Sequence, residues 1–219
     1  MSFLLQGRKR GMTQVFDDQG NLQVCTVIEV EKNVVTQIKT ADSDGYCAVQ
    51  MGFEKFKNNK ESVLKKRVTK PVLGHFAKNQ IEPRRFLAET RLESTEGISV
   101  GQEVSVAEFK VGELVDVTSQ SKGKGYQGVV KLHGFSGIGA SHGAGPVHRH
   151  AGSTGNRSTP GRCFPNGKRA SQMGNRRVTV ERLRVLRVDE DKNLLLVLGS
   201  VPGARNAYVK IRKAVKEKV

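Results

Sequence analysis

No apolar run in the 219-residue chain is longer than five, Leu194–Leu198. A membrane-spanning helix takes about 18 or more, so none is expected. Arg8, Lys9 and Arg10 have no apolar block of leader length behind them, and strand-like sequence begins by Met12. Neither a secretory leader nor a transit peptide is therefore expected. Cysteine is scarce: Cys25, Cys47 and Cys163 are odd in number, far apart and in no C-x-x-C pair. That argues against a disulfide framework or a structural zinc site and fits a reducing cytosol. Tryptophan is absent, aromatics make up 5% and hydrophobic residues 37%. The chain can build a core, but one that is small for its length.

The most informative absence is of negative charge. Asp116 and Glu181 bracket the 64 residues 117–180, which contain no Asp or Glu. The same window holds Lys122, Lys124, Lys131, Arg149, Arg157, Arg162, Lys168, Arg169, Arg176 and Arg177, together with His133, His142, His148 and His150. These ten Lys and Arg supply most of the net charge of +16. A charge of that size calls for a polyanionic partner: nucleic acid, an anionic membrane surface or an acidic protein. Between Phe135 and Asn175 there is no usable helical or alternating period. A loop this long cannot offset its backbone entropy alone. Yet the bends at Gly145-Pro146, Thr159-Pro160-Gly161 and Pro165-Asn166-Gly167 are specific turn chemistry, unlike a solvated linker. The window reads as a basic finger that takes its shape against a phosphate-lined surface. Single-strand readers depend on exposed aromatic platforms, and the finger has only Tyr126, Phe135 and Phe164. Folded RNA, met through its backbone, 2′-hydroxyls and shape, is the better match.

Gly123, Gly125 and Gly128 satisfy G-x-G-x-x-G. A dinucleotide site also needs an acid about twenty residues on, and there is none before Glu181. The kinase catalytic loop and its D-F-G are missing too. These glycines instead let backbone approach phosphates closely, with Lys122 and Lys124 supplying charge. His142, His148 and His150 have no carboxylate nearby to orient them as zinc ligands, so stacking or phosphate contact is the expectation. Cys163 with a neighbouring His lacks an orienting third group and reads as a small apolar residue.

The rest of the chain reads as β. Val24–Val30, Val34–Thr40, Tyr46–Phe53, Ile98–Val106, Glu113–Thr118, Val178–Val188, Leu194–Leu198 and Tyr208–Ile211 are strand-like, with Asp42-Ser43-Asp44-Gly45 as a hairpin turn. Short strands joined by turns predict a closed barrel or a sandwich. Arg177, Arg182, Arg184 and Arg187, interleaved with the valines of Val178–Val188, support a second contact face on the barrel. Residues 55–92, Lys-rich with Pro71 and Pro83, predict a small α+β insertion with one or two short helices. Strands flank the finger on both sides, which makes it an insertion and not a tail.

GRKRGMTQVF (7–16), RVTKPVLGHFAK (67–78), DVTSQSKGKGYQG (116–128), HRHAGSTG (148–155), STPGR (158–162), QMGNRRVT (172–179) and NLLLVLGSVPG (193–203) occur in this order. In these blocks the chain resembles the bacterial form of the universal L three family of large-subunit ribosomal proteins, nearly end to end. The resemblance implies a mostly β protein: a translation-factor-like β-barrel from residues 1–54 and 93–120 with 176–219, a small α+β insertion at 55–92, and an extended rRNA-penetrating loop at 121–175. It also implies a structural constituent of the large subunit, not an enzyme, that binds large-subunit rRNA directly and early, nucleates assembly and extends toward the peptidyl transferase centre. The neighbours implied are the L fourteen and L nineteen families. No cofactor, metal, membrane contact or homo-oligomer is expected. Where some bacterial members carry a methylated Gln, this chain has Ser158, so that modification should be absent. Two other readings remain: an RNA chaperone or helicase-associated module without a fixed site, which would bind blind to sequence, and an enzyme using the glycine loop, which would bind nucleotide saturably.

Overall fold

The computed structural model describes residues 3–17, 19–57 and 60–216. In chain order the strands are β1 (Leu5–Phe16), β2 (Leu22–Glu29), β3 (Asn33–Lys39), β4 (Ala48–Lys55), β5 (Arg84–Arg91), β6 (Glu103–Val104) and β7 (Leu114–Gln120). They continue with β8 (Gly125–Gln127), β9 (Ser171–Met173), β10 (Arg177–Asp189), β11 (Leu194–Leu198) and β12 (Tyr208–Lys213). Four short helices are interspersed: α1 (Ala41–Asp44), α2 (Glu61–Arg67), α3 (Lys70–Lys78) and α4 (Val129–His133). The chain divides into two compact units, residues 1–120 with 177–219, and residues 121–176.

Six strands of the first unit close a barrel in the order β1-β12-β7-β10-β11-β2, every neighbouring pair antiparallel. Strand alternation sends one set of side chains inward: Leu195 and Val197 on β11, Val209 and Ile211 on β12, Val115 and Val117 on β7. They pack with Leu5, Ile28 and Val185 in one core, each large aliphatic side chain contributing about 1.5–3 kcal/mol on burial. Closure is tight where β1 meets β2. A Cβ added at Gly7 would lie 2.6 Å from the Glu29 carbonyl oxygen, so only glycine fits.

The strands at 33–39, 48–54 and 103–104, which fall in the ranges the sequence assigns to the barrel, are not part of it. They form a separate antiparallel sheet in the order β5-β4-β3-β6. Val35, Val49, Met51 and Val104 join the barrel's core from that sheet. The expected hairpin turn at 42–45 is instead the single-turn helix α1, closed by Gly45 in the left-handed region (φ 79°). The insertion between β4 and β5 supplies α2 and α3.

A buried polar cluster joins the two sheets of the first unit. The Gln6 N–H donates to Asn33 Oδ1 at 2.9 Å, and Asn33 Nδ2 donates back to the Gln6 carbonyl at 3.0 Å. β2 pairs with β1 only from Arg8 onward, so the Asn33 carboxamide stands in for the missing strand beside Gln6. Gln6 Nε2 donates to the Met51 carbonyl at 2.7 Å, and the Tyr208 hydroxyl donates to Gln6 Oε1. Burial pushes the Tyr208 phenol up, which keeps it neutral as that donor.

Candidate nucleic-acid interface

The second unit is built almost without a core. Val129 is its one buried residue. Its regular structure is the two-stranded ribbon β8–β9, with Gly125 opposite Met173 and Gln127 opposite Ser171, together with α4 and a 3-10 turn at Gly145–Val147. Glycines in the left-handed region shape the chain where side chains cannot. Gly134 (φ 71°) ends α4, its N–H bonding the Val130 carbonyl at 3.0 Å. At Gly137 (φ 76°) an added Cβ would lie 2.4 Å from the His148 carbonyl oxygen. That close approach lets the Ile138 N–H reach the same oxygen at 3.0 Å, while His148 Nδ1 meets the Gly139 carbonyl at 3.1 Å.

The neck of this unit is a short ladder. The Ser121 N–H donates to the Arg176 carbonyl at 2.8 Å and the Lys124 N–H to the Met173 carbonyl at 2.9 Å. Gly174 (φ 73°) sits inside it, where a Cβ would lie 2.1 Å from the Lys122 carbonyl oxygen. Gly174→Ala therefore meets both a steric block and an unfavourable φ. Amide hydrogen exchange at Ser121 and Lys124 is expected to quicken at least tenfold in this variant, while the amides of Leu195 and Ile211 keep their protection. Unchanged exchange at the neck would refute the steric argument.

All ten Lys and Arg residues singled out between 117 and 180 are exposed, as are His142, His148 and His150. Among the described residues none of these ten enters an ion pair, in contrast with Arg8–Glu54, Lys39–Glu89, Lys213–Glu113 and others elsewhere in the first unit. Fixed positive charge with no internal counter-ion and no core suits an outside polyanion. Nine of the ten lie in the second unit; Arg177 opens β10 in the first.

The glycine loop resolves into neck geometry. Gly125 (φ 68°) begins β8, Gly128 precedes α4 and Gly123 lies beside Asn175. Lys122 and Lys124 flank it, exposed. His142 takes a left-handed backbone (φ 58°), and His148 is tied to Gly139. Among the described residues no group of three or more His, Cys, Asp or Glu is placed to hold a metal. His133, which sequence reasoning left without a role, pins the segment's return: its Nε2 meets the Arg169 carbonyl at 2.9 Å. Arg162 lies over the Phe164 ring, 5.2 Å from its centre. On β10, Arg182, Arg184 and Arg187 are exposed, and a bulge between Val180 and Leu183 lets the Arg182 N–H reach Asp116 Oδ1 at 3.1 Å.

Comparison with known proteins bears on this pattern directly. The family model described as ribosomal protein L3 matches residues 87–193. The large ribosomal subunit protein uL3 of Protochlamydia amoebophila is 56% identical over 99% of this chain and 92% of its own length. The proteins of the same name from Chlamydia abortus and Chlamydia pneumoniae are 49% and 50% identical, over 98% and 95% of this chain and 97% and 95% of theirs. Identity at that level from end to end, with the basic segment inside the matched region, settles the family: the chain belongs to the ribosomal protein L3 family.

Proposed function

We propose that the protein is a structural constituent of the large ribosomal subunit in the cytoplasm, that it binds large-subunit rRNA directly, and that its work is binding and not catalysis. The single observation that carries the rRNA reading is the second unit: residues 121–176 with one buried side chain, no carboxylate and nine exposed, unpaired Lys and Arg. Such a segment gains little from folding on itself and much from converging phosphates. Lys122, Lys124, Lys131, His142, His148, Arg149, His150, Arg157, Arg162, Lys168, Arg169 and Arg176 of this segment, with Arg177 at the start of β10, are the RNA-contacting residues. Placed between RNA helices, these cations lower the repulsion that keeps the helices apart, which is how the protein nucleates assembly. In the particle the segment reaches toward the peptidyl transferase centre, and the neighbours are proteins of the L fourteen and L nineteen families.

If all ten cations meet phosphates, log K against log salt falls with a slope of about −7 to −9. Titration of the full chain with large-subunit rRNA at several salt concentrations measures it. Binding indifferent to salt would remove the reading. Failure to co-sediment one-to-one with large subunits would favour an RNA chaperone without a fixed site.

A further inference from the structure

The second unit is not the only place where positive charge lacks a partner. Arg84 opens β5 opposite Lys55 on β4. Its stem lies across Gly52, where an added Cβ would come 2.8 Å from Arg84 Cγ. The residue is 8% exposed, and its Nε is the buried side-chain polar atom left without a hydrogen bond among the described residues. Arg84 also enters no ion pair among those residues. Burial pulls its guanidinium pKa down, while the carboxylates of Glu82, Glu103 and Glu31 pull it back up. An orphaned guanidinium N–H in a buried position is costly and calls for an explanation, a water or an ion drawn to the same guanidinium being one.

Arg84 lines an open cleft of about 730 Å³ together with Lys55, Lys57, Arg67, Thr69 and Arg85. One carboxylate, Glu54, is on its wall, and it is already held by Arg8 and Arg85. Lys55 is bound to Glu82 at 3.0 Å, but Lys57 and Arg67 are exposed and unpaired among the described residues. Thr69 is the N-cap of α3; its side chain makes no capping bond and Pro71 follows in the first turn. Thr69 and Val72 bring the amino end of the helix to the same cleft; Pro71 carries no N–H and Leu73 already donates to the Thr69 carbonyl, so the donors left there without an intrahelical partner are the amides of Lys70 and Val72.

We propose that this cleft is a second phosphate-binding site, which holds the sugar–phosphate backbone of folded RNA independently of residues 121–176. The inference rests on the rRNA-binding reading above. Backbone phosphate fits better than an acidic protein segment for two reasons. The planar fork of arginine and an uncapped helix end both match phosphate oxygens. An opening with several cations is also served by one strand of consecutive phosphates, whereas a peptide would need as many carboxylates in register.

The test uses the full chain and a large-subunit rRNA transcript. The paired variant Lys57→Ala with Arg67→Ala changes only exposed side chains. It is expected to flatten the salt slope by about 1.4–1.8, as for two lost phosphate contacts, with an unchanged melting midpoint. Arg84→Met is expected to flatten the slope further; should it fail to fold, the exposed pair decides. A parallel variant, Arg149→Ala with Arg157→Ala and Arg162→Ala, probes the second unit. If that triple flattens the slope and the cleft pair does not, the cleft proposal is overturned and the function stands. If neither does, both fall. Protection of Lys57 from acylation by poly-glutamate, and not by the transcript, would assign the cleft to an acidic protein and overturn the proposal.

Discussion

Deletion of residues 135–170 is expected to leave a folded protein that no longer supports maturation of the large subunit. The barrel's core draws no residue from 121–176, so the deletion removes no buried apolar surface from the first unit. The cut ends are close, because His133 is hydrogen-bonded to Arg169, and the neck ladder and β8–β9 remain. Arg149, Arg157, Arg162, Lys168 and Arg169 are lost. At about 0.7–0.9 per phosphate, the salt slope should flatten by roughly 3.5–4.5, and affinity at physiological salt should fall by orders of magnitude. Thermal unfolding should stay cooperative, with a midpoint within a few degrees of the full chain. Loss of the cooperative transition would contradict the division into two units. Normal subunit maturation with the deleted chain would contradict the role given to the segment.

Asn33→Ala is expected to destabilise the first unit strongly. The carboxamide satisfies the Gln6 N–H, the Gln6 carbonyl and, at 2.9 Å, the Glu31 carbonyl. Alanine leaves all three without that partner, in a place where Gln6 and Asn33 are fully buried. At about 1–3 kcal/mol for each orphan, with some relief from water, the loss is about 3–5 kcal/mol. For a chain of this size that lowers the melting midpoint on the order of 10 °C. A conservative contrast, Thr118→Val, touches an exposed hydroxyl pair with Thr179 and should cost under about 1 kcal/mol. Equal midpoints for the two variants would dispose of the idea that a side chain replaces a strand here.

Local rules made most strands legible. Tyr208–Ile211 has the inward-outward alternation the structure displays, Leu194–Leu198 reads as a continuous apolar strand and is one, and Gly45 ends a turn in either reading. Partner choice was not legible. Val34–Lys39 reads as well for a barrel strand as for a strand of a separate sheet, and what separates the two is the pairing of Val34 with Gly52 and Glu103, a long-range fact. The charge of the candidate interface was plain because it is a matter of composition. Its geometry was not: Gly137 and Gly174 differ from other glycines only in what faces them across the chain. Arg84 read as one more cation in a Lys-rich stretch, because nothing nearby in sequence announces that Gly52 makes room for its stem.

Gln120 and Arg177 are register partners on adjacent strands. For the barrel, then, the whole excursion from 121 to 176 is topologically a hairpin connection. The entropic penalty of closing such a connection grows only with the logarithm of its length, about 0.6 kcal/mol for each doubling. A scaffold of this kind can trade one insert for a longer or shorter one and keep its strand order. Reach and architecture are thus separately adjustable, and natural variation or engineering can retune the first without renegotiating the second.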